Sequence, residues 1–367
     1  MTVDEQRSQG ATNSLKLKIA ALAKQRNNQI VAGVSLAILI GICAALFANS
    51  GESTPTDATE PATLTTESTL PTTTVFAGPF APLTGLADPQ GETLSRAALT
   101  VKVDNTLAQG PKRGVDLADV VYEEVVEGGY TRLAAIFHSQ VPTDVGPIRS
   151  VRLTDQAIVR PIGGLFVFSG GAPYALNSIE TAPVVRIDET HAGSAMYRDP
   201  DRKAPWNLFG RGSELFAFGG TPTPPPAIFE YRRDGQVAPG RSIVSAHVGF
   251  KSGLDVTWTW DGQSGRWHRT FLGAQEFVDS GAPIAPANVI VQFVDYTITS
   301  GKYPEAQLVG DGTVWVLSDG KAVEGRWSRQ DSSAAGTLID LAGRPIRLSS
   351  GQTWVCLPEN GYEFTIA

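Results

Sequence analysis

Three glutamates and one arginine lie within the apolar stretch VYEEVVEGGYTRLAAIF, residues 121–137. The two adjacent glycines favour a two-residue hairpin turn, because glycine adopts positive φ without steric cost. In the register that this turn sets, Arg132 is diagonal to both Glu123 and Glu127 and can reach either one. We therefore predict a Glu123–Arg132–Glu127 cluster on one face of the hairpin. Such a cluster is either a solvated salt-bridge ladder or one wall of a polar pocket.

Two arginines in the next segment could bind an anion. Arg149 and Arg152 are three residues apart in GPIRSVRLTDQ, and they share one side if Ser150 begins a helix, for which residues 149–158 are the candidate. Planar guanidinium groups bind phosphate and carboxylate through two parallel hydrogen bonds. Arginines at the start of a helix are also common structural residues, and the spacing alone does not choose between these roles.

A glycine-rich loop follows the predicted strand GLFVF. Ser169, Gly170 and Gly171 join that strand to a predicted helix at 173–181, which has a proline in its first turn. The backbone N–H groups of such a loop, together with a helix N-terminus, favour a bound anion. The loop is far less specific than a full phosphate-binding motif, and no nucleophile elbow surrounds Ser169. With the two arginines, it predicts a site for a phosphate or a carboxylate.

A charged loop, YRDPDRKAPWNLF, covers residues 197–209. Its arginines Arg198 and Arg202 could cover the predicted anion site as a lid, or the loop could simply cover the surface. Asp104, which follows the predicted strand LTVKV, would help to shape the wall of the pocket beside the hairpin.

Composition argues against several other chemistries. The four histidines show no metal-ligand spacing with each other or with cysteine, and no dinucleotide fingerprint occurs, so we expect no metal and no cofactor. A formal charge of -7 without a long basic stripe argues against nucleic-acid binding. Six of the seven tryptophans lie from Trp258 to Trp354, where core packing is expected and a glycan-stacking face is the alternative. Cys356 is expected to be a buried apolar residue.

The N-terminal region predicts a membrane anchor. Residues 30–48 form an uncharged apolar run of 19 residues, long enough to cross a hydrocarbon core of about 30 Å. Basic residues precede the run and acidic residues follow it, so residues 1–29 are predicted to be a cytoplasmic tail and the main part of the chain to be exported. A cleaved signal peptide is the alternative. Lipid attachment at Cys43 is disfavoured because Ile42 precedes it.

The rest of the chain divides into a linker and two domains. Residues 49–78 are rich in serine, threonine and proline, which predicts a disordered spacer. Residues 79–225 mix strand and helix patterns and end at the proline cluster TPTPPP, whereas residues 226–367 show strand patterns with turns such as the Asp-Gly of VWVLSDGKAVEGRW. The predicted fold class is therefore α+β. It comprises the transmembrane helix and linker, a mixed α/β domain, and a mostly antiparallel β domain.

Several motifs occur in an order that resembles one bacterial family. They are APLTGL, VKVDN, DLADVVYEEVVEGGYTRLAAIF, GPIRSVR, SGGAP, YRDPDRKAPWNLF and, near the C-terminus, GRW and GQTWV, from about residue 79 to about residue 358. The combination resembles the YerB-type envelope proteins, a family of membrane-tethered lipoproteins without an established activity. The resemblance implies two successive domains in the cell envelope.

The chain departs from that family pattern in two ways. Histidine is common in the family at the position of Trp206 and near Phe168, so chemistry that depends on those histidines is not implied here. The predicted transmembrane helix also replaces the lipidated cysteine of the family.

Three functions remain open from the residues. The first is a membrane-anchored extracytoplasmic protein that binds an anionic cell-wall component at the predicted site. The second is an enzyme that modifies envelope polymers, with Asp104, Glu123 or Glu127 as general acid or base. Glu123 and Glu127 would be about 13 Å apart along one strand, too far for a glycosidase pair. The third is a scaffold that binds an envelope protein through the β-rich domain.

Overall fold

The computed structural model describes residues 78–219, 222–233 and 235–367. The predicted cytoplasmic tail, the predicted membrane span at 30–48 and the predicted linker up to residue 77 lie outside the described residues. Within the ranges that are described, no helix is both long enough and apolar enough to cross a membrane.

Strands make up most of the regular structure in the described ranges. In the first part of the chain they are β1 (Leu99–Asp104), β2 (Val120–Val125), β3 (Thr131–Phe137), β4 (Asp144–Val145), β5 (Gly164–Val167), β6 (Val184–Ile187), β7 (Met196–Arg198) and β8 (Leu208–Arg211). In the second part they are β9 (Arg241–Ser242), β10 (Ser245–Gly249), β11 (Asp255–Asp261), β12 (Arg266–Phe271), β13 (Ala274–Gln275), β14 (Asn288–Gln292), β15 (Tyr296–Thr299), β16 (Tyr303–Ala306), β17 (Gly310–Ser318), β18 (Lys321–Arg329), β19 (Thr337–Asp340), β20 (Thr353–Leu357) and β21 (Phe364–Ile366).

Helices are few and short among these residues. The α-helices are α1 (Asp155–Val159), α2 (Pro173–Ser178) and α3 (Gly212–Phe216). Single 3-10 turns occur at Glu92–Ser95, Leu107–Gln109, Val115–Leu117, Glu127–Gly129, Gly193–Ala195 and Lys251–Gly253. The predicted α+β class is therefore wrong, because the described fold is mostly β.

The clearest helix candidate shows why the helical content was overestimated. Residues 149–154 precede α1 and are not helical. Their backbone is bound to neighbouring segments instead: Arg149 N donates to Lys102 O at 2.9 Å, and Val151 N donates at 3.0 Å to a carbonyl of the loop after β5. Tertiary hydrogen bonds thus override a weak local helix preference. The predicted helix at 173–181 exists, but it is the shorter α2.

One mixed sheet organises the fold. Its 11 strands include the order β19-β18-β17-β14-β20-β2-β3-β1-β5-β6, with β9 paired to β18. A five-stranded antiparallel sheet has the order β13-β12-β11-β10-β21, and the small sheets are β4-β8-β7 and β15-β16. Strands from both sides of residue 225 share the large sheet, where β2 and β20 pair in parallel. The division into two domains at that residue stays a prediction.

Strand β20 lies between two parallel neighbours and is buried along its whole length. Trp354 and Cys356 face the core that the five-stranded sheet completes with Trp258 and Trp267. The alternate side chains of β20 face the second core of the large sheet. Trp327, which is 4% exposed, also belongs to that second core. These contacts confirm the predicted burial of Cys356 and the core role of most tryptophans from Trp258 to Trp354.

A buried aspartate precedes β2. Asp119 is 2% exposed, and its carboxylate accepts hydrogen bonds from the Ser139 hydroxyl and, at 2.7 Å, from the Ser139 backbone N–H. Burial raises the pKa of Asp119 to about 6, although the hydrogen bonds from Ser139 oppose that rise. Removal of this carboxyl group from water therefore outweighs the bonds that its ionised form receives.

Asp119 should make stability depend on pH. As pH rises from about 4 to about 6, the unfolded chain loses this proton before the folded protein does, so the contribution of Asp119 to stability falls. We expect Asp119→Asn to gain on the order of 2 kcal/mol of unfolding free energy relative to the natural protein between pH 4 and pH 7. Urea unfolding of both proteins at the two pH values measures this change. A difference between the proteins that stays constant with pH would contradict the assignment.

Candidate functional site

The β2–β3 hairpin has a register that differs by one residue from the predicted one. Glu124, not its neighbour Val125, pairs with Arg132. The connection uses the three-residue turn Glu127–Gly129, whose two glycines have φ of 73° and 74°. A slip of one residue transfers every side chain to the other face of a strand. The predicted Glu123–Arg132–Glu127 cluster is therefore wrong, because Glu123 and Arg132 lie on opposite faces.

Glu123 belongs to a buried ion pair that the sequence did not reveal. Arg269 Nη2, from β12, donates to both carboxylate oxygens of Glu123, at 2.8 and 3.0 Å. Trp354 Nε1 donates to Oε2 at 3.0 Å, and Asn105 Nδ2 donates to Oε1 at 2.8 Å. Glu123 and Arg269 are both 0% exposed. This carboxylate joins the large sheet to the five-stranded sheet, and its burial argues against a role as general acid or base.

A second group of buried charges lies on the other face of the same strands. Lys102 of β1 donates to Asp155 Oδ1 at 2.7 Å and also to Glu124. The second oxygen of Asp155 accepts from the Arg152 backbone N–H at 2.6 Å. Burial raises the pKa of Glu124, and Lys102 partly offsets that effect. These contacts fix the beginning of α1 and the segment immediately before it.

Three arginines converge on that segment, and we call Arg132, Arg149 and Arg152 the arginine cluster. Arg132 Nη1 and Arg152 Nη1 each donate to the Ser150 carbonyl oxygen at 3.2 Å. Arg149 Nε lies 2.7 Å from a carboxylate oxygen of Asp104. Glu127 Oε2 accepts from Arg152 Nη2 at 2.8 Å and from Arg152 Nε at 3.0 Å. The sequence-based grouping of Arg149 and Arg152 is thus extended by Arg132.

The arginine cluster carries more positive than negative charge. Three guanidinium groups face two carboxylates, those of Asp104 and Glu127, which leaves one positive charge in excess. Among the described residues, Arg132 forms no ion pair with a carboxylate. Burial, together with the positive charges of Arg152 and Arg149, lowers the pKa of Arg132 to about 10, against the opposing effects of the two carboxylates. An anion placed here would stabilise the charged guanidinium.

The predicted glycine-rich loop adjoins the arginine cluster. Ser169 N donates to Arg149 O at 3.0 Å, and the hydroxyl oxygens of Ser150 and Ser169 are 3.4 Å apart. Gly170 has φ of 118°, and none of the described atoms lies within 4 Å of where its Cβ would be, so the loop borders open space. At Gly171, by contrast, a Cβ would lie 2.5 Å from a valine side chain. Gly170 therefore borders open space, whereas Gly171 permits close packing.

The two arginines of the predicted lid are engaged elsewhere. Arg198 donates to both carboxylate oxygens of Glu189, at 2.6 and 2.9 Å. Arg202 donates to Asp279 Oδ1 at 3.1 Å. The loop touches the arginine cluster through the Pro205 carbonyl oxygen, which accepts from an arginine at 3.1 Å. The structure thus separates Glu123, Arg198 and Arg202 from the predicted site residues that it brings together, which are Asp104, Glu127, Arg132, Arg149, Arg152, Ser169, Gly170 and Gly171.

The arrangement offers hydrogen-bond donors and positive charge more than acid–base chemistry. Asp104 and Glu127 each lie against an arginine, so proton transfer by either one would require an ion pair to be broken. In the part of the chain that the structure describes, no three histidine, cysteine, aspartate or glutamate side chains are placed to hold a metal ion. What the residues offer a ligand is guanidinium groups, hydroxyl groups and open space beside a loop.

Comparisons with known proteins agree with the motifs. Residues 83–222 match a family described as "Protein of unknown function (DUF3048) N-terminal domain", and residues 246–355 match its C-terminal domain. The chain is 26% identical over 286 residues to "Putative lipoprotein YerB" of Bacillus subtilis (strain 168), a match that covers 75% of this chain and 85% of the relative.

A solved structure agrees as well. The one described as "Crystal structure of YerB protein from Bacillus subtilis" has a TM-score of 0.69 with 23% sequence identity, and the match covers 78% of this chain and 99% of that chain. That likeness shows a shared fold. The two family matches confirm the family resemblance read from the motifs. Both the N-terminal and the C-terminal domain of the family are matched in this chain. The chain therefore belongs to the YerB-like family of proteins of unknown function.

Proposed function

We propose that this protein is a membrane-associated extracytoplasmic protein that binds an anionic cell-envelope component, through a phosphate or a carboxylate, at the arginine cluster. The observation that carries the binding proposal is Arg132. It is a half-buried guanidinium without a carboxylate partner among the described residues, and two further guanidinium groups act on it. A bound anion stabilises a guanidinium that lies among other positive charges more than it stabilises an isolated surface arginine.

The proposed location is supported by the relative from Bacillus subtilis, whose name describes it as a lipoprotein. Lipoproteins are held at a membrane by their acyl chains. Because this chain belongs to the same family, we propose that it is also associated with a membrane and lies outside the cytoplasm.

The surrounding residues support binding in a fixed geometry. Asp104 and Glu127 hold two arginines of the cluster in position, so a ligand would not have to order them. Arg132 would donate to the anion, because no carboxylate occupies its N–H groups among the described residues. The hydroxyl groups of Ser150 and Ser169 lie next to each other and could also donate hydrogen bonds to the anion. Charge-assisted hydrogen bonds of this type are about twice as strong as neutral ones.

Calorimetric titration of the full-length protein with inorganic phosphate tests this proposal. We expect saturable binding, and we expect Arg132→Gln to weaken it by about 10-fold or more, since a hydrogen bond to a charged group contributes roughly 1.5 to 3 kcal/mol. The matched control is Arg326→Gln, which removes the same charge from a side chain that is 59% exposed on β18. The absence of saturable binding by the natural protein would contradict the proposal, and so would equal weakening by the two variants.

A further inference from the structure

Two tyrosines lie beside the arginine cluster. The ring centroids of Tyr174, in α2, and Tyr303, in β16, are 4.8 Å apart with ring planes tilted by 48°. Both side chains are half-buried. Burial, together with Tyr303 and Glu127, raises the pKa of Tyr174 to about 12, and Arg152 opposes that rise. The tyrosine pair is therefore close enough to the Glu127–Arg152 ion pair for the charges to act on its hydroxyl group.

A separate hairpin brings Tyr303 to this place from the second part of the chain. The β15–β16 hairpin forms a sheet of its own. The Tyr296 hydroxyl group accepts from Val125 N at 3.0 Å and donates to a carbonyl oxygen of β20 at 2.8 Å. Ala306 N donates to Thr154 Oγ1 at 2.9 Å. Strands β15 and β16 are thus attached near the end of β2 and the start of α1. The turn between β15 and β16 therefore lies beside α2, where Tyr303 contacts Tyr174.

The same hairpin adds another cation. Lys302 is exposed, and its Nζ lies 4.8 Å from the ring centroid of Tyr303. A hydrogen bond with Tyr303 raises the pKa of Lys302, and Glu127 raises it further. Among the described residues Lys302 forms no ion pair with a carboxylate. The positive charge at the site therefore extends from the arginine cluster along an aromatic surface.

We propose that the ligand is a phosphorylated carbohydrate, whose phosphate binds the arginine cluster and whose sugar ring packs against Tyr174 and Tyr303. This inference rests on the proposed function and names its ligand class. Tyrosine rings offer an apolar surface to the C–H face of a sugar, and their hydroxyl groups can bond to its hydroxyls. A free inorganic anion would use the arginines alone. The tyrosine pair would have no part in binding it.

The experiment compares three phosphate compounds by calorimetry on the full-length protein. They are N-acetylglucosamine 1-phosphate, glycerol 3-phosphate and inorganic phosphate, of which only the first has a sugar ring. We expect the sugar phosphate to bind about 10-fold or more tightly than glycerol 3-phosphate. We expect Tyr303→Ala to abolish that preference and to leave binding of inorganic phosphate unchanged. Tyr362→Ala is the control, because Tyr362 is a half-buried tyrosine near the C-terminus.

The outcomes separate this inference from the proposed function. Equal affinities for the sugar phosphate and for glycerol 3-phosphate would overturn the carbohydrate inference while anion binding stands. A preference that survives both Tyr303→Ala and Tyr174→Ala would overturn the role of the tyrosine pair. If no phosphate compound binds the natural protein, the proposed function fails and the inference fails with it.

Discussion

Replacement of Arg269 by methionine is expected to lower the free energy of unfolding by about 3 to 5 kcal/mol, because it leaves the Glu123 carboxylate buried without its charge partner. Both residues are 0% exposed, so water cannot replace the lost guanidinium. Methionine retains much of the packing with the aromatic rings that surround the guanidinium, those of Trp258, Phe271 and Trp354. The loss would therefore report mainly on the unpaired charge.

Urea unfolding at pH 7 measures this effect, with two further variants for comparison. The double variant Glu123→Leu with Arg269→Met should recover most of the loss, because apolar residues can replace a buried ion pair. Glu276, the other carboxylate partner of Arg269, keeps its ion pair with Lys112. Arg326→Met is the exposed control and should change stability by no more than about 0.5 kcal/mol. A loss in Arg269→Met as small as that of the control would refute the account of this pair.

Replacement of Lys102 by methionine is expected to have an effect of similar size, about 3 to 5 kcal/mol at pH 7. Lys102 is 0% exposed and lies between the carboxylates of Glu124 and Asp155. Without the ammonium group, the two buried carboxylates would repel each other. Because Asp155 also accepts from the Arg152 backbone N–H, the variant should bind phosphate more weakly.

The loss in Lys102→Met should depend on pH in a definite direction. Burial raises the pKa of Glu124, and removal of the neighbouring ammonium group can only raise it further. The folded variant therefore binds more protons than the unfolded chain in mildly acidic solution, and its stability falls as pH rises. Urea unfolding should show a larger loss at pH 7 than at pH 5. Lys251→Met, at a lysine whose side chain is 41% exposed, is the control, and an identical loss at both pH values would speak against the buried cluster.

Local patterns in the sequence were sufficient to predict several strands and turns. The predicted strand LTVKV corresponds to β1, and the turn Asp319-Gly320 joins β17 to β18 with φ of 50° and 67°. The register of the β2–β3 hairpin was not predictable in the same way, because Gly128-Gly129 suits both a two-residue and a three-residue turn. A Cβ at Gly129 would lie 1.9 Å from Ser252 Oγ, a contact with the second part of the chain that no local pattern contains.

The candidate site was predictable only in part, for the same reason. Arg149, Arg152 and the Ser169–Gly171 loop were found from residue type, but their proximity depends on an extended segment that pairs with the end of β1. Arg269 lies 146 residues from Glu123 in sequence, so no spacing could link them. One signal was available. Buried and half-buried residues alternate along β12, and Arg269 is a buried one, between Trp267 and Phe271. A charged residue at such a position requires a partner of opposite charge.

Arginine side-chain NMR during a phosphate titration tests anion binding at the arginine cluster, because it reports each guanidinium group separately. The full-length protein is labelled with 15N-arginine, and the Nε–H signals are followed as inorganic phosphate is added. We expect saturable shifts for the three arginines of the cluster, with Arg132 changing most, while Arg198 and Arg326 stay unchanged. Unchanged signals from the cluster at saturating phosphate, or equal shifts at Arg198 and Arg326, would contradict it.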